Sequence, residues 1–214
     1  MTDPRDDRAA ERDAAHCHLL ASDPAMAALA AAHGPIDPYQ RPHELPLHDG
    51  DLFEGLVFHI VGQSISERSA LAVFGRLREL LGGSVQGTSM AATTVESLHA
   101  TGLSMAKSRA LLGLARAVDE GSLRLGNLET APDETVIARL TALPGIGPWT
   151  ARIFLLYELR RPDAFPAWEI GLRRAVGMLD ELAKPPAGGA ALKRAADWRP
   201  YRSYAAGHLW RTLR

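Results

Sequence analysis

The chain has 214 residues, 46% hydrophobic and 6% aromatic, enough apolar mass for one compact unit or two small lobes and too much for a disordered chain. Lys plus Arg number 24 against 25 Asp plus Glu, a formal charge of −1, so the bulk balance points to neither nucleic acid nor membrane. The single cysteine, Cys17, excludes a disulfide framework, a four-thiolate iron–sulfur cluster and a Cys-rich zinc site. A soluble protein of a reducing cytoplasm is expected, because no apolar run approaches the roughly 18 to 20 residues of a membrane span and the Asp- and Arg-rich start is unlike a signal peptide.

Residues 1–20 are charged and show no apolar face, which predicts a charged arm or a weak first helix. Asp23 is placed to cap an Ala-rich helix with Pro24 in its first turn. Gly34 to Gly50, carrying Pro35, Pro38, Pro42 and Pro46, predicts an extended connection that crosses between lobes. From Asp51 the apolar spacing is helical: Phe53, Leu56, Val57 and Ile60 form one stripe, and Ala70, Val73, Phe74 and Leu77 the next, which stops at Gly82-Gly83. Leu111, Leu114, Ala115 and Val118 mark another helix. A further one, with Val136, Ile137, Leu140 and Leu143, follows the capping-box-like Thr130-Ala-Pro-Asp133. Ile153 to Leu159 reads as a helix buried on most sides, and Leu172, Val176 and Leu179 as an amphipathic one. Pro185-Pro186 and Gly188-Gly189 read as breaks, and Tyr201 to Leu213 as a last helix.

Nothing alternates with period two for long enough to argue a strand, so the predicted fold is all-α. Residues 139–214 hold 13 Lys and Arg against 6 Asp and Glu, a surplus of +7, which leaves 11 against 19, or −8, for residues 1–138. A basic final third attracts phosphate locally even in a neutral chain.

The octapeptide Leu143-Pro-Gly-Ile-Gly-Pro-Trp-Thr150 links two of these helices. Gly145 and Gly147 permit positive φ and close approach, so backbone N–H groups of the turn and of the next helix can converge on one anion. Pro148 suits a first helical position. A tight turn without ligand is the plain reading of Gly-x-Gly, and the flanking helices and basic final third favour a DNA phosphate.

Five ordered segments now carry a resemblance: Gly62-Gln-Ser-Ile-Ser66, Gly102-Leu-Ser-Met-Ala-Lys107, the octapeptide, Pro162-Asp-Ala-Phe-Pro-Ala-Trp-Glu-Ile-Gly-Leu-Arg173, and Trp198-Arg-Pro-Tyr-Arg-Ser-Tyr204. From about Phe53 to Arg211 the chain resembles the helix-hairpin-helix DNA glycosylases, in particular the AlkA-type 3-methyladenine DNA glycosylase II branch. The resemblance implies two helical lobes flanking a cleft that holds a flipped base, and hydrolysis of its N-glycosidic bond. Residues 51–160 would form the lobe with the wedge loop and hairpin, and residues 21–50 plus 161–214 the lobe with the catalytic carboxylate. The N-terminal sheet domain of longer members is not expected.

By the same resemblance the carboxylate position falls on Glu169, where the family has aspartate; one added methylene matters where a shift of about 1 Å can cost 10²-fold. Asp163 is read first as a turn or capping residue. Trp149 stands where lyase-competent relatives carry a Schiff-base lysine, which implies a monofunctional enzyme, and Trp149, Trp198 and Trp168 are the base-pocket candidates. Gln63 and Ser64 lie in the loop from which the family wedges DNA open. Leu143, Gly145, Gly147 and Thr150 make the phosphate-binding hairpin, with Arg173, Arg174, Arg199 and Arg202 as further phosphate candidates. His16 and His18 flank Cys17 but diverge on a helix, so no metal site and no cofactor are expected, although a monovalent cation at the hairpin is a family habit.

The reading is an all-α monofunctional DNA glycosylase, a monomer, acting on alkylated bases in double-stranded DNA. Two rivals remain at the sequence level. One is a noncatalytic hairpin protein that binds bent or branched DNA, and the other an all-α scaffold without DNA contact.

Overall fold

A computed structural model describes residues 4–40 and 51–213. The chain divides into two compact units, one of Met1–Gln40 with Arg160–Arg214 and one of Arg41–Leu159. The described residues fold into twelve α-helices and two short 3₁₀ turns, with no strand among them, as the spacing predicts.

The first unit begins with α1 (Pro4–Leu20). The charged start is thus a full helix, whose Ala15 and Leu19 are wholly buried. Among its described side chains these two are the buried ones, too sparse a pair to show as an apolar face, which is why composition predicts an arm. Asp23 caps α2 (Pro24–His33) by accepting from Met26 N–H, with Pro24 at the first position. The expected long connection is described only as far as Gln40, where Tyr39 N–H closes a turn on Asp37; Pro42, Pro46 and Gly50 lie outside the described residues.

The second unit is built on α3 (Leu52–Gly62), capped by Asp51 and buried from Phe53 through Val61. A helix buried on every side reads as a nearly continuous apolar run, here interrupted by the buried Glu54 and His59. Next come α4 (Glu67–Leu80), α5 (Gly87–Ala91), α6 (Val95–Ala100), α7 (Met105–Asp119), α8 (Asp133–Thr141) and α9 (Pro148–Tyr157). Helices α5 and α6, of 5 and 6 residues, are too short to show a period. Helix α8 starts one residue past Pro132, which caps it without a side-chain bond, so the capping box expected at Thr130 does not form. Gly55 lets α3 meet the end of α9, since a Cβ there would sit 2.3 Å from the Glu158 carboxyl carbon. Glu158 in turn pairs with His59, one turn along α3, at 2.7 Å.

The chain returns to the first unit through α10 (Ile170–Leu179), α11 (Gly188–Arg194) and α12 (Arg202–Arg211). The Gly188-Gly189 pair opens α11 rather than breaking the chain. Its buried Gly188 underlies the Trp168 ring, which a Cβ there would meet at 2.8 Å.

Two rings join α2 to α12. His33 and His208 stack with centroids 5.4 Å apart and share one hydrogen bond between their Nδ1 atoms, 3.2 Å long, which requires that one donate and the other accept. Burial, then the charges of His33, His16 and Arg211, push His208 down to about 4 from its ordinary 6.5, and burial and Arg211 lower His33 as well. The unfolded chain therefore binds more protons between these values. The stability held by neutral His208 is complete above pH 6.5 and drains as pH falls toward 4, a loss on the order of 3 kcal/mol. Urea unfolding at pH 7, 6, 5 and 4.5 is expected to show this slope, flattened in His208→Leu; identical slopes would remove His208 from the acid response.

Candidate functional site

The hairpin joins α8 to α9. Ile146 N–H closes it on Leu143 C=O at 3.2 Å. Gly145 has φ of +86°, and its missing Cβ would come within 2.4 Å of the Ala110 Cβ of α7, so glycine is needed there twice over. Gly147 differs from expectation. It is extended at φ −96°, ψ 175°, as the N-cap of α9, and needs no glycine conformation; what its missing Cβ leaves is open space, with nothing within 4 Å. No side chain caps α9, and Pro148 holds its first position. The opening N–H groups of this helix thus face a spot the side chains leave clear.

Thr150 does not belong to that exposed face. It is 1% exposed, and its hydroxyl accepts from Gln63 Nε2 at 2.9 Å, which leaves its backbone N–H, and not its side chain, for a phosphate. The same Gln63 amide donates to Gly145 C=O at 3.1 Å. Gln63 thereby braces the hairpin. Ser64 is exposed in the left-handed region at φ +57°, followed by the exposed Ile65 and by Ser66, which caps α4. From α7, Lys107 Nζ donates to Val61 C=O at 2.8 Å and Gln63 C=O at 2.7 Å. Burial holds this ammonium below the ordinary lysine value.

In the other unit, Glu169 is the N-cap of α10. Its side chain folds back to accept from Gly171 N–H at 2.9 Å and, in a very short bond, from Leu172 N–H. These are the second and third N–H groups of the helix, the pair a shorter capping aspartate ordinarily takes. The added methylene is absorbed in that fold-back. Trp210 Nε1 donates to Glu169 Oε2 at 3.0 Å, so both carboxylate oxygens are fixed. Trp168, beside Glu169, is 42% exposed, while Trp149 is half-buried in the first turn of α9.

Trp198 leaves the base-pocket set. It is 0% exposed, lies in the core of its unit, and donates Nε1 to Asp23 at 2.7 Å; a ring so enclosed offers no face to a base. The sequence instead passed over Trp210, because nothing local distinguishes an indole that ends in the core from one that ends on a carboxylate. Asp163 is a structural anchor: it accepts from Arg202 Nε at 2.7 Å, Arg202 Nη2 at 2.9 Å and Arg199 Nε at 3.1 Å. Those two arginines are consequently paired rather than held open for phosphate, and Arg173 Nε donates to Pro186 C=O at 2.6 Å. Arg174 is exposed. Among the described residues no group of three or more His, Cys, Asp or Glu is placed to hold a metal ion, and no helix is long and apolar enough to cross a membrane.

No protein-family model matches the chain. It is 32% identical over 177 residues to DNA-3-methyladenine glycosylase 2 of Escherichia coli, covering 76% of this chain and 58% of that protein. To the DNA-3-methyladenine glycosylase of Bacillus subtilis it is 29% identical over 174 residues, covering 76% and 57%. The chain thus spans less than two thirds of the length of these two curated relatives. Its backbone is similar to that of the Schizosaccharomyces pombe 3-methyladenine DNA glycosylase in complex with abasic DNA, with a TM-score of 0.81 at 27% identity, over 92% of this chain and 95% of that one. With helices and no strand among its described residues, and a glycine-turned hairpin between α8 and α9, the chain belongs to the helix-hairpin-helix DNA glycosylases, in their AlkA-type 3-methyladenine branch.

Proposed function

We propose that this chain is a monofunctional DNA glycosylase that hydrolyses the N-glycosidic bond of alkylated bases, N-methylpurines such as 3-methyladenine and 7-methylguanine, in double-stranded DNA as the first step of base excision repair. The observation that carries the reading is the Glu169 carboxylate, fixed by two backbone N–H groups and the Trp210 indole. As the base departs, positive charge builds on the sugar, and a carboxylate already held in place stabilises it without reorganising and can orient the attacking water. Cationic methylpurines leave readily, so no strong general acid is required. Trp168, beside Glu169, supplies an aromatic face for such a cation. With tryptophan rather than lysine at position 149 there is no amine to form a Schiff base, and water completes the reaction.

The hairpin supports duplex binding through the first N–H groups of α9, which meet a phosphate best when no Cβ intervenes. Gly147→Ala tests this cleanly, because the added methyl meets nothing in the protein. Its unfolding midpoint should match the wild type while duplex affinity drops for every sequence alike. Unchanged affinity across a salt titration would take the hairpin out of the interface. We further propose that the protein works as a monomer in the cytoplasm, on the genome.

Release of free base from methylated duplex, scored separately for 3-methyladenine and 7-methylguanine, tests the whole reading. Release is expected for both. Duplex binding without release would make the chain a noncatalytic binder of bent or branched DNA. Negligible binding even at low salt, where phosphate contacts are strongest, would leave an all-α scaffold.

A further inference from the structure

The hairpin is held from outside itself. Its central peptide, Gly145 C=O with Ile146 N–H, is bonded at both ends: Gln63 Nε2 donates to the oxygen at 3.1 Å, and Ile146 N–H donates to Leu143 C=O at 3.2 Å. A peptide unit is planar, so one fixed at its oxygen and its nitrogen cannot swing, and the backbone that follows inherits its direction. The same Gln63 nitrogen reaches Thr150 Oγ1, in the first turn of α9, at 2.9 Å. One side chain thus ties the beginning of the anion-facing run to its end.

Gln63 is anchored in turn. It is the C-cap of α3, where the last carbonyls of a helix lack intrahelical partners. Lys107 Nζ of α7 serves them, donating to Val61 C=O at 2.8 Å and Gln63 C=O at 2.7 Å, and a cation at this end also complements the α3 dipole. One turn further along α7, Ala110 packs so closely on Gly145 that a Cβ on the glycine would lie 2.4 Å from its own. Helix α7 therefore reaches the hairpin twice, by direct packing at Ala110 and through Lys107 and Gln63. Backbone that turned freely would have to be ordered when a phosphate binds, and a hairpin already held escapes that entropic cost.

We infer that Lys107 and Gln63 are positioning residues for DNA binding, a two-step brace that keeps the hairpin in its phosphate-receiving form, an inference that rests on the duplex-binding reading above. Lys107 acts through Gln63. Its ammonium is turned to the protein's own carbonyls, so it strengthens the grip on phosphate without adding a charge to it.

The test measures duplex affinity across a salt titration, using the full chain and variants shown by circular dichroism to be folded at the working temperature. Lys107→Met and Gln63→Met, which keep a long side chain and lose its donors, should each weaken binding about tenfold. The slope of log affinity against log salt should stay at the wild-type value in Lys107→Met, whereas loss of a lysine bound to phosphate would reduce it by about 1. Adding Lys107→Met to Gln63→Met should cost less than about twofold more, because the two act in series. Gly147→Ala should likewise cost little in the Lys107→Met background, since both act on one phosphate contact; a general structural loss would add instead. Lys107→Arg, which can still donate to two carbonyls, should recover most of the affinity. Thr150→Val removes one of the two Gln63 acceptors, leaves its own backbone N–H in place, and should weaken binding about threefold, an independent check should Lys107→Met not fold. Unchanged affinity in Gln63→Met, Lys107→Met or Thr150→Val, additive losses in either double variant, or a shallower salt slope in Lys107→Met overturns the brace. Gly147→Ala without effect in the wild type, or a wild type that binds no duplex at low salt, overturns the reading beneath it, so the two failures are told apart.

Discussion

Replacing Glu169 by Gln is expected to slow single-turnover base release by about 10²-fold or more while duplex affinity stays within about twofold of wild type. Glutamine keeps the length and volume of the side chain and removes the negative charge. Its amide oxygen can still accept from one of the three donors now bonded to the carboxylate, so α10 remains capped and the loss reports charge at the reacting sugar. Two companions sharpen the result. Glu169→Asp should retain more activity than Glu169→Gln, because aspartate at an N-cap reaches the same pair of N–H groups. Trp210→Phe, which removes one donor and keeps the ring, should fall between wild type and Glu169→Gln. Equal turnover in wild type and Glu169→Gln would take this carboxylate out of the mechanism.

The largest expected loss of stability lies at Asp23. Asp23 serves four donors at once: Met26 N–H at 3.0 Å, Arg194 Nη1 at 3.1 Å and Nη2 at 3.0 Å, and Trp198 Nε1 at 2.7 Å. Arg194 also pairs with Asp180 at 3.0 Å and lies 4.8 Å from the centroid of the Trp198 ring. Burial by itself would raise the Asp23 carboxyl, but Arg194, Met26 N–H and Trp198 N–H outweigh it and hold it at about 2, below the ordinary 3.8. A carboxyl lowered in the folded state contributes above the unfolded value and loses that contribution as pH falls through the folded one, here from 3.8 toward 2. Asp23→Ala removes the cap, strands Arg194 short of one partner and leaves a buried indole N–H unmet. A cost of about 3 to 5 kcal/mol follows, or a melting point lower by about 10 °C. Asp23→Asn, which can still cap α2, should lose less. Calorimetry at pH 7 checks both, and a shift under about 2 °C for Asp23→Ala would show that the network contributes little.

Much of this could be read in the residues. Asp23 and Pro24 announce the start of α2, Pro148 that of α9, and the glycines of the octapeptide the turn between helices, because capping and turn chemistry act over three or four residues. What escaped has a common physical origin. Trp198 is taken into the core by Asp23, 175 residues away in sequence, and Arg202 is drawn off by Asp163, 39 residues away. Trp210 finds Glu169 across 41 residues. Each side chain carried the right chemistry for the site, and a distant partner decided whether it was open to use. Gly147 shows the converse: a glycine read for its torsional freedom sits in extended backbone, and only the space around it distinguishes it.

The unit that holds Glu169 is assembled from both ends of the chain, residues 1–40 and 160–214, while residues 41–159 are contiguous. On the ribosome these parts mature in a fixed order. Asp23 emerges 171 residues ahead of Arg194, an interval of about 10 to 30 s at ordinary rates of synthesis. Throughout that interval α1 and α2 lack the helices that bury them, and the unit with the hairpin is complete before the unit with the carboxylate exists. A nascent chain of which residues up to about 160 have emerged would therefore display the hairpin unit without the unit that carries Glu169, and two orphaned helices, a natural target for chaperones until residues 160–214 emerge.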